Sequence, residues 1–175
     1  MTTFRADPLL GFARGLLAFV KGALIVAMGG VVIAMPAVML MKDRILAGIA
    51  REQPALANIE FIWALCGLLA SVLVLLAAMW FFTHKLKQIV DTVATGDPFI
   101  PENAERLKVM AWTSIALQVI AAPMLIFGAM IAHRSGHPAH VDVSVNGLAL
   151  ALVLFILARV FRTGAAMREE LEGTV

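Results

Sequence analysis

The stretch FIWALCGLLASVLVLLAAMWFFT, Phe61 to Thr83, runs 23 residues without a single charge. A hydrocarbon core about 30 Å thick is crossed by roughly 20 helical residues, each rising about 1.5 Å. The run is apolar on every face. It therefore matches neither the alternating strand of a membrane barrel nor the one-sided helix of a water-soluble core. Aromatic residues bracket it, with Phe61 and Trp63 at one end and Trp80, Phe81 and Phe82 at the other, where rings favour the headgroup level. It reads as a transmembrane helix.

Three more such runs lie outward from it. Residues 22–41 and 109–132 carry no charge, and 143–158 is followed by Arg159, Val160 and Phe161. The stem of Arg159 can snorkel to the headgroups, which makes 143–161 an acceptable fourth span. The expected fold is all-α: a polytopic membrane protein, one membrane domain over 1–175, with a four-transmembrane-helix bundle. Composition agrees, since 61% of the 175 residues are hydrophobic and 15% charged, against about 25% charged in soluble domains. A net charge of +2 gives no polycationic field for nucleic acid, so no direct nucleic-acid binding is expected. The lone Cys66 excludes an intrachain disulfide and a cysteine metal cluster.

The first apolar run is longer than a signal-peptide core and is followed directly by Lys42, Asp43 and Arg44, so a retained span is expected. Residues 8–20 are amphipathic and read either as an interfacial helix or as the cytoplasmic start of span one. Basic residues in the flanks set the orientation. With both termini cytoplasmic, 10 of 14 Lys and Arg fall inside and 4 outside.

Little inside the spans can carry chemistry. None contains Asp or Glu, which weighs against a proton-coupled carrier. Gln118 is the one strongly polar group deep in a span, suited to bridging helices or to binding a ligand. Small residues at helical spacing in span one (Ala23 and Ala27, Gly30 and Ala34), and Cys66, Gly67, Ala70 and Ser71 in span two, allow close packing, within the bundle or in a homo-oligomer. Pro36 and Pro123 are expected to bend their helices.

The polar segments hold more. His133, His137 and His140, with Asp142, lie in the third loop and are chemically suitable zinc or copper ligands, but their spacing matches no defined site. A pH sensor and a plain polar turn are the other readings. The second loop, 84–108, reads as a helical elbow. An apolar stripe of Leu86, Ile89, Val90 and Val93 ends at Gly96, Asp97-Pro98 turns, and Pro101-Glu102 opens the next helix. That stripe must pack on something: the tail, a second copy, or another protein. The tail, 162–175, also reads as helical and basic-then-acidic, and could dock on Asp97, Glu102 and Glu105.

Two segments resemble a known family. Ile89-Val90-Asp91-Thr92-Val93, then Gly96-Asp97-Pro98-Phe99 and Glu102-Asn103-Ala104-Glu105-Arg106-Leu107, is similar to the bacterial membrane family catalogued as domain of unknown function 2975. So is the ending Leu157-Ala158-Arg159-Val160-Phe161-Arg162-Thr163-Gly164, with Met167-Arg168-Glu169-Glu170 and Thr174-Val175. The resemblance implies an inner-membrane protein with no assigned enzymatic activity and no cofactor. Its members are often encoded beside a small helix-turn-helix transcription regulator, which implies a cytoplasmic partner. The docking surface would then be Asp97, Pro98, Phe99, Glu102, Asn103 and Arg106 in the elbow, and Arg159, Arg162, Gly164 and Glu169 in the tail.

Two functions from different classes follow. One is a regulatory or signalling membrane protein that binds a cytoplasmic partner through elbow and tail. The other is a small transporter, or a lipid- or metal-binding protein using the histidine loop. No nucleophile–base pair, phosphate loop or paired intramembrane carboxylates points to an enzyme.

Overall fold

The computed structural model describes residues 8–52, 54, 57–134 and 146–172. Among these the regular structure is entirely helical: α1 Pro8–Leu40, α2 Lys42–Glu52, α3 Ile59–Ala94, α4 Pro101–Arg134 and α5 Asn146–Glu172. Four of them, all but α2, are long and apolar enough to cross a membrane. They exceed the apolar runs that define the spans. At about 1.5 Å per residue, the 36 residues of α3 reach well past a core about 30 Å thick. Residues 8–20 join span one in a single helix, and 162–172 continue span four. Helices α1 and α4 also run on through Pro36 and Pro123.

Helix α2 lies in the connection after span one, where the apolar runs mark no element. Ile45, Leu46 and Ile49 are half-buried along one face, while Lys42, Asp43, Arg44 and Arg51 are exposed. This one-sided pattern is visible in the sequence but needs only a short stripe.

The chain gathers into two compact units. One holds residues 25–77 and 117–134. In it the Asn58 side chain accepts a hydrogen bond from the Phe61 amide at 3.0 Å, capping the start of α3. Ile62 is fully buried, and the Phe127 ring lies so close to Gly67 that a Cβ there would meet it at 2.6 Å. Gly67 thus packs within the chain. Gly22, Gly29 and Gly30 of α1 have no such neighbour.

The other unit holds 8–24, 78–116 and 146–172. Its core is Ile89 from α3, Leu107, Met110 and Ala111 from α4, and Leu154 and Ala158 from α5. Phe82, Leu86, Val93, Phe155 and Phe161 pack around them. The apolar stripe on the second half of α3 is therefore covered by the chain's own α4 and α5. Hydroxyls in this unit satisfy themselves locally: Thr83 donates to the Met79 carbonyl at 2.8 Å and Ser114 to Met110 at 3.0 Å. Bonding one turn back lets a polar side chain sit in an apolar helix without an orphaned group.

Large apolar side chains elsewhere face outward, among them Val26, Ile33, Val119 and Leu152. Lipid solvates these as well as a protein core would. In contrast, Met110 is 1% exposed. Met110→Ala should lower stability by about 2–5 kcal/mol by opening a cavity, whereas Val119→Ala should stay within about 0.5 kcal/mol. Thermal unfolding of the two variants in detergent checks the contrast, and equal losses would contradict this packing.

Candidate functional site

The resemblance points to two segments, the connection after α3 and the last part of α5. Helix α3 stops at a left-handed glycine, Gly96, with φ of 89°. The Gly96 amide donates to the Val93 carbonyl at 3.1 Å, and the Asp97 amide to Thr92 at 3.2 Å. These two bonds close the last turn and use the carbonyls that a helix end leaves open. A side chain at residue 96 would strain that backbone.

Asn103, in the first turn of α4, is 0% exposed. Its amide nitrogen donates to Thr92 Oγ1 at 2.7 Å and to the Pro98 carbonyl at 2.9 Å. Its amide oxygen accepts from Arg106 Nη1 at 2.7 Å. One side chain thus ties the end of α3, the turn and the start of α4. Asn103 cannot be touched from outside, and Arg106 is committed to it; both shape the surface from within. Thr92, which the sequence reading did not select, is the hub's other half. It donates in turn to the Ile89 carbonyl at 2.7 Å.

The turn is stapled to α5. The Phe99 ring lies over Gly164, where a Cβ would come within 2.7 Å of it, and its centroid is 5.3 Å from that of Phe161. Asp97 pairs with Arg168, and Glu105 lies 3.8 Å from Arg162 and 3.3 Å from Lys108. The predicted residues therefore fall into groups. Asp97, Phe99 and Gly164 are joined in one cluster. Pro98 supplies a carbonyl to Asn103. Glu102, Arg159, Arg162 and Glu169 are exposed. A groove of about 180 Å³ between Phe99, Pro101, Ala165 and Glu169 is open at this surface. In the histidine loop, His133 is an exposed residue near the end of α4, and His137, His140 and Asp142 lie outside the described residues. Among the described residues no His, Cys, Asp and Glu cluster could hold a metal ion.

Helix α1 is anchored beside this cluster. Arg14 Nε lies 2.9 Å from Asp91 Oδ1, Arg14 Nη2 donates to the Asp91 carbonyl at 3.1 Å, and Lys87 Nζ donates to Asp91 Oδ2 at 2.7 Å. Asp91 stands about two turns beyond the apolar run that ends at Thr83. The Lys87 hydrogen bond, with the Lys87 and Arg14 charges, holds the Asp91 carboxyl below its ordinary value against the opposing effect of burial.

Two outcomes follow. Alanine is the better helix former by about 1 kcal/mol, yet at residue 164 it must displace Phe99. Gly164→Ala should therefore destabilise the wild type and stabilise a Phe99→Ala background, read as a reversal in the sign of the Tm shift. Asp91→Asn should cost up to about 1 kcal/mol at pH 7, because the pair is partly exposed. A carboxyl whose folded pKa is lowered stabilises above its unfolded value of about 3.9 and loses that contribution as pH falls through the folded value. The gap between variant and wild type in thermal unfolding should thus start to narrow below about pH 3.9 and vanish once the pH lies below the folded value, and a gap that does not narrow on acidification would refute the role of the charge.

The model of the family described as "Protein of unknown function (DUF2975)" matches residues 44–175. The match takes in α3, α4, α5 and nearly all of α2, and leaves α1 outside it. Neither the curated proteins nor the solved structures contain a match to this chain. With the joined residues Asp97, Phe99 and Gly164 all inside the matched region, the chain belongs to the DUF2975 family of proteins of unknown function.

Proposed function

We propose that this chain is a non-enzymatic regulatory protein of the inner membrane. It docks a cytoplasmic partner on the surface formed by the turn at 95–100 and the last two turns of α5. The observation that carries the reading is the staple of Phe99 over Gly164 beside the Asp97–Arg168 pair. It holds a polar, charged surface in one shape outside the apolar runs. Exposed Glu169 lines the groove next to Phe99, exposed Glu102 follows the groove residue Pro101 in sequence, and a rigid surface of that kind binds without a large ordering cost.

Charge placement supports the cytoplasmic side. Arg14, Lys21, Lys85, Lys87, Arg106, Lys108, Arg159, Arg162 and Arg168 all belong to the unit that carries this surface, while Lys42, Arg44, Arg51 and Arg134 belong to the other. Lysine and arginine concentrate on cytoplasmic flanks. A partner of the class that the family suggests is a small DNA-binding regulator, whose concentration at DNA would fall while it is held at the membrane.

The test uses a small helix-turn-helix regulator of the class that accompanies this family, taken from beside this chain's gene where one is encoded there, and co-expresses it with the full-length protein. The wild type should retain it in the membrane fraction, and Glu102→Lys with Glu169→Lys should release at least about tenfold more of it to the soluble fraction, as reversal of charges at a docking surface does. Equal retention by the double variant would remove this surface from consideration.

A further inference from the structure

A larger groove opens in the same unit between α4 and α5. Its volume is about 440 Å³, and its walls are Lys108, Phe155, Ala158, Arg159, Arg162 and Thr163. Three of these six side chains are cationic and none is acidic. Glu105, which lies 3.3 Å from Lys108 and 3.8 Å from Arg162, offsets one of the charges. Arg159 has no carboxylate within ion-pair distance among the described residues. The local excess is positive, and it faces an open cleft.

The position of the groove along the helices says what anion it suits. Lys108 comes immediately before the uncharged run 109–132, and Arg159 comes immediately after the uncharged run ending at Ala158. Both cations therefore sit where the hydrocarbon begins. On the membrane side of them, Trp112 stands edge-on to Phe155 with ring centroids 5.6 Å apart, and Trp112 is exposed. An exposed indole at this level is characteristic of the headgroup zone. Arg159 and Thr163 also border an adjoining apolar cleft with Ile156 and Val160, so the basic groove opens onto lipid-facing surface. The Thr163 hydroxyl is spent on the Arg159 carbonyl at 3.1 Å, which leaves recognition to the cations. Two guanidinium groups and an ammonium match the oxygens of a phosphate.

We propose that Lys108, Arg159 and Arg162 bind the phosphate of one anionic phospholipid at the hydrocarbon edge, with its acyl chains along Trp112, Phe155 and Ile156. A soluble phosphate shares the headgroup chemistry but not the tails, and it would have to enter from water a groove whose far side faces lipid. This goes beyond the partner reading and does not rest on it, since the groove uses neither Glu102 nor Glu169.

The experiment is native mass spectrometry of the full-length protein in detergent, with phosphatidylglycerol and phosphatidylcholine as probes. The wild type should retain one phosphatidylglycerol in preference to phosphatidylcholine. Arg159→Gln with Arg162→Gln should lower the retained fraction about tenfold, and Arg159→Lys with Arg162→Lys should restore much of it. Inorganic phosphate at millimolar concentration should not displace the lipid. Lys108→Gln, at an exposed position, serves as the second variant should the double replacement lose helicity, and it too should lower retention. Undiminished phosphatidylglycerol in the glutamine variants would overturn the site, and displacement by inorganic phosphate would overturn the lipid as its ligand.

Discussion

The side-chain amide of Asn103 donates twice and accepts once at a point that water does not reach. Its three partners belong to α3, to the turn and to α4. A buried amide costs free energy unless its groups are paired, so the chain must bring those three segments together for any of them to be stable there. Much of the unit depends on this. The turn that Asn103 holds is the one that places Phe99 over Gly164 and Asp97 beside Arg168. Without a fixed turn, neither contact has a fixed address.

This constraint divides the family-like residues into two kinds. Some build the surface and some present it. Asn103, Arg106 and the Pro98 carbonyl are spent inside, while Glu102 and Glu169 remain exposed. A resemblance in sequence weighs all of them alike, because a motif records position and not burial. The same reasoning changes the standing of Arg159 and Arg162. They stand with Lys108 around a groove at the start of the hydrocarbon, not at the turn. Lys108 was a topology marker in the sequence, and only its position across from α5 makes it part of a site.

Helix α1 shows how a segment outside the family match is joined to the matched part. Arg14 meets Asp91, and Lys21 Nζ lies 3.0 Å from His84 Nδ1 and 5.0 Å from the centre of the Trp80 ring. These contacts are polar and sit near the edge of the apolar run. In the bilayer itself α1 has no hydrophobic drive toward its neighbours, since lipid tails are as apolar as leucine. Its exposed Val26 and Ile33 agree with that. Charge at the membrane edge does for α1 what apolar burial does for a helix in water.

The number and type of the long helices were legible in the residues alone. Crossing a membrane is a local requirement, met by an unbroken apolar run of sufficient length, and four such runs can be counted along the chain. The stop at Gly96 and the start at Pro101 were legible for the same reason, since each rests on the backbone chemistry of one residue. Helix α2 had its pattern in plain view, but its stripe is too short to stand out from a charged loop. Tertiary structure alone decided which polar groups are buried, which charges pair and where a groove opens. Arg168 and Asp97 are 71 positions apart, and Arg14 and the Asp91 carbonyl 77. No spacing rule connects such pairs, because what brings them together is the packing of one helix on another.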